Sequence, residues 1–477
     1  MIYIYYSNND FCKQIKYIFS VVFNIFRINV KYMENLQQAK DENILLINYS
    51  NEVLPRKNVI NIKPSYLFSQ HYLKMESMPK VPLKKYNGFP VIYLSNEDNK
   101  NCYLNKYNNY LITNMDIIQS SFFMITRYEE ILLWDKVEKD LYGRFPAKES
   151  LAYKEDFLYI PIVNEYIEWL WQWIDSFNLG YKRKSIWGKY DFAACLTHDV
   201  DRPFKYRYPL KNDIKNLKVK RTKLAYKDIF LHALSKIDYK KDSFYTFDYM
   251  RRIERKYNFT SSFYFMSGGN SQLDGKYNIE DFKIKLLIDY LIEDGCEVGY
   301  HYSFNTNENL EQMLIENNII KQISSKSIYG GRSHYLKFNI INICNNCEKV
   351  GLLYDSTLGY GEQIGFRCGI CFPYKIFDII KNKTLNIYEI PLIVMDVTLI
   401  EPQYLSLNTK QSINEAIKLI KIVRKYNGVF TLLWHNSSFG DLYKNDCNKI
   451  FKKIMKEIYY SKGIGLSGRE IIKKFNL

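Results

Sequence analysis

The chain has 477 residues, of which 47% are hydrophobic and 16% aromatic, including 43 tyrosines. This length and apolar content exclude a small disulfide-stapled module and a globally disordered chain, and they predict two or three domains with substantial cores. The formal charge of +16 comes largely from lysines scattered along the chain, and no recognised nucleic-acid-binding motif accompanies it, so we expect no nucleic-acid partner.

The start of the chain shows no targeting segment. Residues 2–6 are apolar and aromatic, which predicts a strand, and no cationic leader stands before an apolar region. The apolar run 17–26 is interrupted by Ser20 and Asn24 and is far shorter than a membrane span. Nine cysteines, an odd number in a long chain, fit a reducing compartment. We therefore expect a cytoplasmic protein.

Residues 1–180 are predicted to form an amino-terminal α/β domain, and the polar, basic run 180–189 is the best domain boundary. No motif in this part carries catalytic chemistry. The amino-terminal domain could recognise the substrate, cover the mouth of the barrel or bind a partner, and nothing in its sequence chooses among these roles. The predicted elements are strands over 2–6, 44–47 and 91–94, and helices over 10–26, 115–134 and 161–177.

Residues 190–477 alternate about seven times between strand and helix patterns. This alternation predicts a parallel barrel or an open parallel sheet, in which functional groups gather at the carboxyl ends of strands. The predicted strands cover 192–197, 260–266, 297–300 and 429–434, with short ones near 332, 353, 387 and 394. The predicted helices cover 247–257, 279–293, 307–324, 339–350, 411–426 and 449–459.

Two carboxylates follow the first of these strands. The run 192–196 is apolar, and alternation along an extended chain places Thr197, Asp199 and Asp201 on one face and His198 on the other. Like charges this close repel, so the pair indicates a bound cation or a catalytic proton. A solvated acidic turn that caps a helix is the alternative.

Four of the six histidines fall at predicted strand ends: His198, His301, His334 and His435. Arg332 lies two residues before His334, which places both side chains on one face. Taken singly, each histidine is more typical of a satisfied polar residue than of a ligand. Together with the Asp pair, however, imidazoles and a carboxylate describe a catalytic divalent-cation site with a base and an acid beside it.

These motifs resemble, in order and spacing, those of the NodB-type polysaccharide deacetylases, over about residues 191–477. The motifs are Thr-His-Asp-Val-Asp at 197–201, His-Tyr-Ser-Phe-Asn at 301–305, Arg332, and Leu-Leu-Trp-His-Asn at 432–436. The resemblance implies an irregular (β/α)7-type barrel preceded by the smaller α/β domain. It also implies a hydrolase that removes acetyl groups from an N-acetylated or O-acetylated glycan or glycan precursor, with one divalent metal ion, commonly Zn2+.

The resemblance also implies a role for each matching residue. Asp199 would be the general base, held ionised by Arg332, and His435 would protonate the leaving amine. Asp201 and His301 would be metal ligands. Either Asp355 or Asp396 would orient His435.

The chain departs from the family pattern at one ligand. The family has a second histidine four residues after the first, where this chain has Asn305, and asparagine binds zinc poorly. His334 stands where the family commonly has proline, and we predict that it supplies the missing ligand. His198 stands where the family often has Phe, and we expect it to face away from the metal.

Two further functions stay open. A catalytically degenerate fold could bind a saccharide or assemble with polysaccharide-synthesis enzymes, which Asn305 favours, whereas Asp199, Arg332 and His435 together favour catalysis. A cyclic-amide hydrolase would need the same metal but would act on small ureides.

A basic run and two Cys-x-x-Cys pairs lie outside these motifs. The basic run 202–227 is more typical of a solvated, poorly ordered insertion, with contact to an anionic glycan or a membrane surface as the alternative. Cys344-x-x-Cys347 and Cys368-x-x-Cys371 have the spacing of a four-thiolate zinc site, but the first pair falls in a predicted helix, which disfavours such a site.

Overall fold

The computed structural model describes residues 1–35, 43–95, 103–213, 223–324, 330–440 and 444–476. The chain forms two compact units of mixed α/β structure, one of residues 1–189 and 365–391 and the other of residues 190–364 and 392–477. The segment 365–391 falls within the first unit, whereas the predicted boundary at 180–190 places it in the second domain. It belongs with the first unit because Arg367 is buried there against the Glu130 carboxylate.

The first unit is organised around a sheet in the order β2-β1-β3-β4-β8-β7, in which all neighbours are parallel except β7 and β8. Strands β3 and β4 are buried along their whole length, as expected for central strands of a parallel sheet. Strands β5 and β6 form a separate antiparallel pair. The eight strands are β1 (Ile2–Tyr6), β2 (Val30–Tyr32), β3 (Leu46–Tyr49), β4 (Val59–Ile62), β5 (Lys84–Tyr86), β6 (Phe89–Val91), β7 (Leu104–Lys106) and β8 (Tyr110–Thr113).

The single helix predicted over 115–134 is two helices, because the chain adopts a left-handed conformation at Arg127, with φ of 52°. The predicted helices over 10–26 and 161–177 are present with slightly shorter bounds. The helices of this unit are Cys12–Phe26, Ile117–Ile125, Tyr128–Leu133, Leu151–Lys154 and Ile162–Asp175, with short 3-10 turns at Met75–Ser77 and Ala147–Glu149.

The second unit is built on a curled, half-barrel sheet whose central strand is β9 (Phe192–Val200). One edge of β9 pairs with β17 over residues 193–197. Its other edge pairs with β18 over 192–195 and then with β10 over 197–200. The parallel order is β13-β12-β11-β10-β9-β17-β16. The closed sevenfold barrel stays a prediction.

The remaining strands complete the chain order. Antiparallel β14 and β15 lie in the segment that joins the first unit. The strands after β9 are β10 (Ser262–Phe265), β11 (Glu297–Tyr302), β12 (Gly330–Ser333), β13 (Tyr354–Asp355), β14 (Tyr374–Asp378), β15 (Lys383–Glu389), β16 (Val394–Met395), β17 (Val429–Leu433) and β18 (Gly463–Leu466).

Helices follow most strands of the second unit, as the alternating pattern predicted. None of the helices in the described part of the chain has both the length and the hydropathy that a membrane crossing requires. The helices are Lys223–Ile237, Phe247–Arg255, Phe282–Glu293, Leu310–Ile323, Ile343–Lys349, Asp396–Ile400, Thr409–Lys425, Lys444–Tyr460 and Gly468–Phe475, with 3-10 turns at Tyr239–Lys241, His334–Leu336 and Asn436–Phe439.

The close spacing of β11 and β12 depends on glycine. A Cβ at Gly331 would lie 2.1 Å from the Tyr300 carbonyl oxygen, and one at Gly330 would lie 2.0 Å from the Tyr354 ring. The two glycines therefore let β12 enter the sheet, which brings Arg332 into register with His301. The Gly-Gly-Arg-Ser-His segment thus delivers two polar side chains to the carboxyl end of the sheet.

Candidate metal centre and active site

The Asp199 carboxylate is held by a buried guanidinium. Arg332 Nη1 donates hydrogen bonds to Asp199 Oδ1 at 2.9 Å and to Thr197 Oγ1 at 2.9 Å. The rest of the guanidinium donates to Ser356, from Nε to the carbonyl oxygen at 2.7 Å and from Nη2 to Oγ at 3.0 Å. Burial disfavours the charged form of Arg332, but the Asp199 charge more than offsets this and raises the Arg332 pKa. The carboxylate thus faces a permanent positive charge.

Asp201, His301 and His334 offer three ligand atoms that all lie within 4.8 Å of one another. His301 Nε2 lies 3.0 Å from Asp201 Oδ1, and His334 Nε2 lies 3.7 Å from the same oxygen. The other ring nitrogens point away to fixed partners. His301 Nδ1 lies 2.8 Å from the Arg332 carbonyl oxygen, and His334 Nδ1 lies 3.2 Å from Asp274 Oδ1. Both imidazoles therefore present Nε2 towards one point.

Asp201 Oδ1 and His301 Nε2 are buried and lie 3.0 Å apart, but no well-aligned hydrogen bond joins them, and neither has another hydrogen-bond partner among the described residues. Buried polar atoms are ordinarily paired, and a divalent cation would satisfy both at once. One carboxylate and two imidazoles, with room for water, are a donor set that suits Zn2+. Burial acts to raise the pKa of Asp201, but His334, His301 and His435 hold it well below its usual range. The residues therefore fit a metal ion.

His435 is fixed by Asp396 on the opposite side of the site. Its Nδ1 lies 2.8 Å from Asp396 Oδ1, while its backbone N–H donates to Asp396 Oδ2 at 2.7 Å, and Ser438 Oγ donates to the same oxygen at 2.6 Å. Nε2 is left facing Asp201 Oδ2 at 3.7 Å. Burial acts to lower the pKa of His435, but Asp396 outweighs it and raises the pKa to about 10. The imidazole is therefore a proton donor at neutral pH.

The structure thus brings together Asp199, Asp201, Arg332 and all three proposed site histidines at the carboxyl ends of β9, β11, β12 and β17. The alternatives for the partner of His435 are also resolved, because Asp355 instead accepts hydrogen bonds from Thr357. The catalytic and ligand roles themselves stay predictions.

The position of Asn305 agrees with the predicted ligand replacement. Asn305 is exposed, and its Nδ2 donates to Asn270 Oδ1 at 2.8 Å. His198 faces away from the site, as expected from strand alternation. Its Nδ1 lies 2.8 Å from the Trp434 carbonyl oxygen and its Nε2 lies 2.8 Å from Glu254 Oε1.

Asp274 is the residue of this site that the sequence did not indicate. Its Oδ1 meets His334 Nδ1 and also accepts the Phe304 N–H at 2.8 Å, while Oδ2 accepts the Ser271 N–H at 3.0 Å. Asp274 lies before Gly275 in a polar stretch, and Asp-Gly pairs are typical of turns, so no local signal separated it from a loop residue.

The basic run 202–227 and the four cysteines of the Cys-x-x-Cys pairs have different outcomes. In the basic run, Lys205 pairs with Asp228 at 3.1 Å, and residues 214–222 lie outside the described part of the chain. Among described residues, one group of His, Cys, Asp or Glu side chains could hold a metal ion, and the four cysteines are not in it. Cys344 and Cys347 belong to the second unit, and Cys368 and Cys371 to the first.

Comparison with known proteins gives a match for the amino-terminal region. Residues 2–178 match a family of unknown function, DUF7033. No curated protein matches the chain.

Several solved structures are similar to the chain at low identity. A putative polysaccharide deacetylase from Mycobacterium smegmatis is 13% identical, with a TM-score of 0.40, over 60% of this chain and 91% of that chain. A probable polysaccharide deacetylase from Pseudomonas aeruginosa PAO1 is 12% identical, with a TM-score of 0.40, over 62% and 95%. Puue allantoinase is 10% identical, with a TM-score of 0.41, over 61% and 91%.

Proposed function

We propose that the protein is a metal-dependent hydrolase that removes acetyl groups from an N-acetylated or O-acetylated glycan or glycan precursor. The observation that supports this most strongly is the convergence of a base, a ligand set and an acid at one edge of the sheet. A ligand set alone would serve binding, but a buried Asp199–Arg332 pair and an oriented His435 have no purpose in a passive saccharide-binding site.

A divalent cation held by Asp201, His301 and His334 would polarise the acyl carbonyl and lower the pKa of water bound beside it. Asp199 takes the proton from the attacking water as the oxygen bonds to the acyl carbon. Arg332 keeps that carboxylate in place before the transfer through the hydrogen bond from its Nη1. His435 gives a proton to the leaving nitrogen or oxygen as its bond to the acyl carbon breaks, and Asp396 stabilises the imidazolium that precedes this step.

The first test measures metal content and acetate release in the same preparation. We expect stoichiometric divalent metal, with Zn2+ the best fit to the donors, and acetate release from N-acetylglucosamine oligomers or their O-acetylated counterparts. Asp199→Asn should lower kcat by roughly a hundredfold or more while metal content stays unchanged, since general-base catalysis contributes about 10²–10⁴-fold. Metal without acetate release from any acylated sugar would contradict the proposal and favour a binding role.

The second test concerns the ligand replacement. His334→Ala should abolish stoichiometric metal binding, whereas Asn305→Ala should leave it intact. The opposite result would show that the asparagine binds the metal. Activity on small ureides and none on acetylated sugars would favour a cyclic-amide hydrolase that uses the same residues.

A further inference from the structure

A cavity of about 250 Å³ lies within the second unit, and one of its lining residues, Tyr277, contacts the strand β9. This volume lies just below the range of about 300–1,000 Å³ that is usual for pockets of drug-sized ligands, so the cavity suits a group as small as one sugar residue. Its lining includes four aromatic residues, three cations and two carboxylates: Phe204, Tyr206, Tyr239 and Tyr277, with Arg207, Lys236 and Lys283, and Asp242 and Asp281.

Tyr277 connects the cavity to the catalytic strand. Its ring lines the cavity, and its hydroxyl donates a hydrogen bond to the Val200 carbonyl oxygen at 2.9 Å and accepts the Met266 N–H at 2.7 Å. Val200 lies between Asp199 and Asp201. The cavity is therefore separated by one tyrosine side chain from the strand that carries the proposed base and metal ligand.

The charges that line the cavity are unequally satisfied. Its two carboxylates are held by backbone N–H groups. Asp242 accepts hydrogen bonds from the N–H groups of residues 205, 206 and 244, and Asp281 accepts the N–H of residue 283. Among the described residues, by contrast, Arg207, Lys236 and Lys283 make no ion pair with a carboxylate. Three cations and two carboxylates therefore line the cavity, and the excess of positive charge favours an anionic occupant.

The aromatic rings add an apolar surface to this charge. Lys283 Nζ lies 5.7 Å from the centroid of the Tyr239 ring, and the Arg207 guanidinium carbon lies 5.9 Å from that of Tyr277. Two of the three cations are thus placed beside a ring face, so one ligand could contact a ring with its carbon skeleton and a cation with its acidic group. A sugar residue that carries a carboxylate or a phosphate has both parts.

We propose that this cavity is a subsite for a negatively charged sugar residue, adjacent in the substrate to the residue that is deacetylated. The substrate class is then an acidic glycan, such as one with uronic acid or sugar phosphate units. This inference rests on the proposed function for the position of the acyl group, but the binding of the charged residue depends only on the cavity.

The test compares two tetrasaccharides of equal length, one of N-acetylglucosamine alone and one in which N-acetylglucosamine alternates with glucuronic acid. A third probe, the neutral tetrasaccharide with one phosphate, separates phosphate from carboxylate recognition. We expect the wild-type protein to show a lower KM for at least one anionic probe than for the neutral one. The double variant Lys236→Gln with Lys283→Gln should raise that KM by roughly threefold to tenfold, with kcat and the neutral probe unaffected.

Lys285→Gln is the matched control, since Lys285 is an exposed lysine of the same helix that does not line the cavity. The preference for the anionic probe should also weaken as salt is added, because exposed charges are screened. Equal KM values for all probes, or an unchanged KM in the double variant, would overturn the subsite even if acetate is released.

Direct binding to the Asp199→Asn protein separates the two proposals. If no probe releases acetate from the wild type, yet the anionic probe binds more tightly and loses this advantage in the double variant, the subsite stands and the proposed function fails. If acetate is released but the anionic and neutral probes bind equally, the proposed function stands and the subsite fails.

Discussion

The two units each bury a cluster of charged side chains, and the clusters differ in how completely their atoms are satisfied. In the first unit, Arg127 donates to Glu129 Oε1 at 2.7 Å and to Glu130 Oε1 at 2.9 Å, and Arg367 Nη2 donates to Glu130 Oε2 at 2.7 Å. The last oxygen, Glu129 Oε2, accepts the Leu151 N–H at 2.7 Å. Every carboxylate oxygen of this cluster has a donor.

In the second unit, Asp199 Oδ1 is paired with Arg332, but Asp201 Oδ1 and His301 Nε2, which lie 3.0 Å apart, are buried without a well-aligned hydrogen bond. These two atoms belong to a group of three candidate ligand atoms, from Asp201, His301 and His334, that lie within 4.8 Å of one another, and a divalent cation would complete this set. We therefore infer that the charged cluster of the first unit stabilises the fold, whereas the charged cluster of the second unit binds a ligand.

The largest effect is expected from breaking the satisfied cluster. Glu130→Gln should lower the free energy of unfolding by about 3–5 kcal/mol, because it leaves two buried guanidinium groups without their shared counter-charge. Burial opposes the charged form, but Arg367 and Arg127 still hold the pKa of Glu130 below its usual range. Denaturant unfolding measures the change. Glu149→Gln, which breaks the half-exposed Lys154 pair at 2.9 Å, should cost less than about 1 kcal/mol. Equal losses in both variants would remove the distinction.

A metal ion should have nearly as large an effect on the second unit. Adding Zn2+ to metal-free protein at about a thousand times the dissociation constant should raise the free energy of unfolding by about 4 kcal/mol. His334→Ala should abolish this increase, and Asn305→Ala should preserve it. If the wild-type protein is not stabilised by any divalent metal, the two unpaired atoms have another explanation and the comparison fails.

The fold was largely predictable because its signals are local. Strand runs at 192–197 and 429–434 are short and apolar, and Asp199 and His435, which follow them, lie at one edge because parallel strands share their carboxyl edge. For the same reason the predicted convergence of Asp199, His301 and His435 needed no knowledge of packing.

What the sequence could not show depends on contacts between distant residues. The helix predicted over 115–134 breaks at Arg127, because its buried guanidinium contacts the Arg367 carbonyl oxygen, 240 residues away. The hydrophobic periodicity of a helix does not indicate such a contact. Asp274 and the choice of Asp396 over Asp355 likewise depend on loops whose local sequence is typical of turns.

Asp116 differs from both clusters, because it is a buried carboxylate that has hydrogen bonds but no cation beside it among the described residues. Burial raises its pKa to about 6, although the N–H groups of Gln119 and Ser65 and the Tyr49 hydroxyl act in the opposite direction. The folded state therefore holds this proton more tightly than the unfolded state. Its stabilising effect is complete below about pH 4 and is lost as the pH rises through 6, by up to about 3 kcal/mol.

The measurement is the free energy of unfolding between pH 4 and pH 7 for the wild type and for Asp116→Asn. The variant should lack this component of the pH dependence, so the difference between the two proteins should change across the interval. A constant difference would mean that Asp116 stays ionised across this pH range through its hydrogen bonds alone. A buried carboxylate would then not need a cation of the kind that pairs with Glu129 and Glu130.

The smallest effect is expected at the residue that orients the replacement ligand. Asp274→Asn should weaken divalent metal binding by about 10–100-fold, because His334 loses the carboxylate that fixes its ring with Nε2 towards Asp201. Stability of the metal-free protein should fall much less than metal affinity, since the asparagine still accepts the Phe304 N–H. Asp289→Asn, an exposed acid on the helix Phe282–Glu293, is the control and should change neither quantity. Unchanged metal affinity in Asp274→Asn would mean that the Asp274 carboxylate is not needed to orient the His334 ring. It would also mean that His334 Nε2 can stay available to a metal without a charged hydrogen-bond partner on Nδ1.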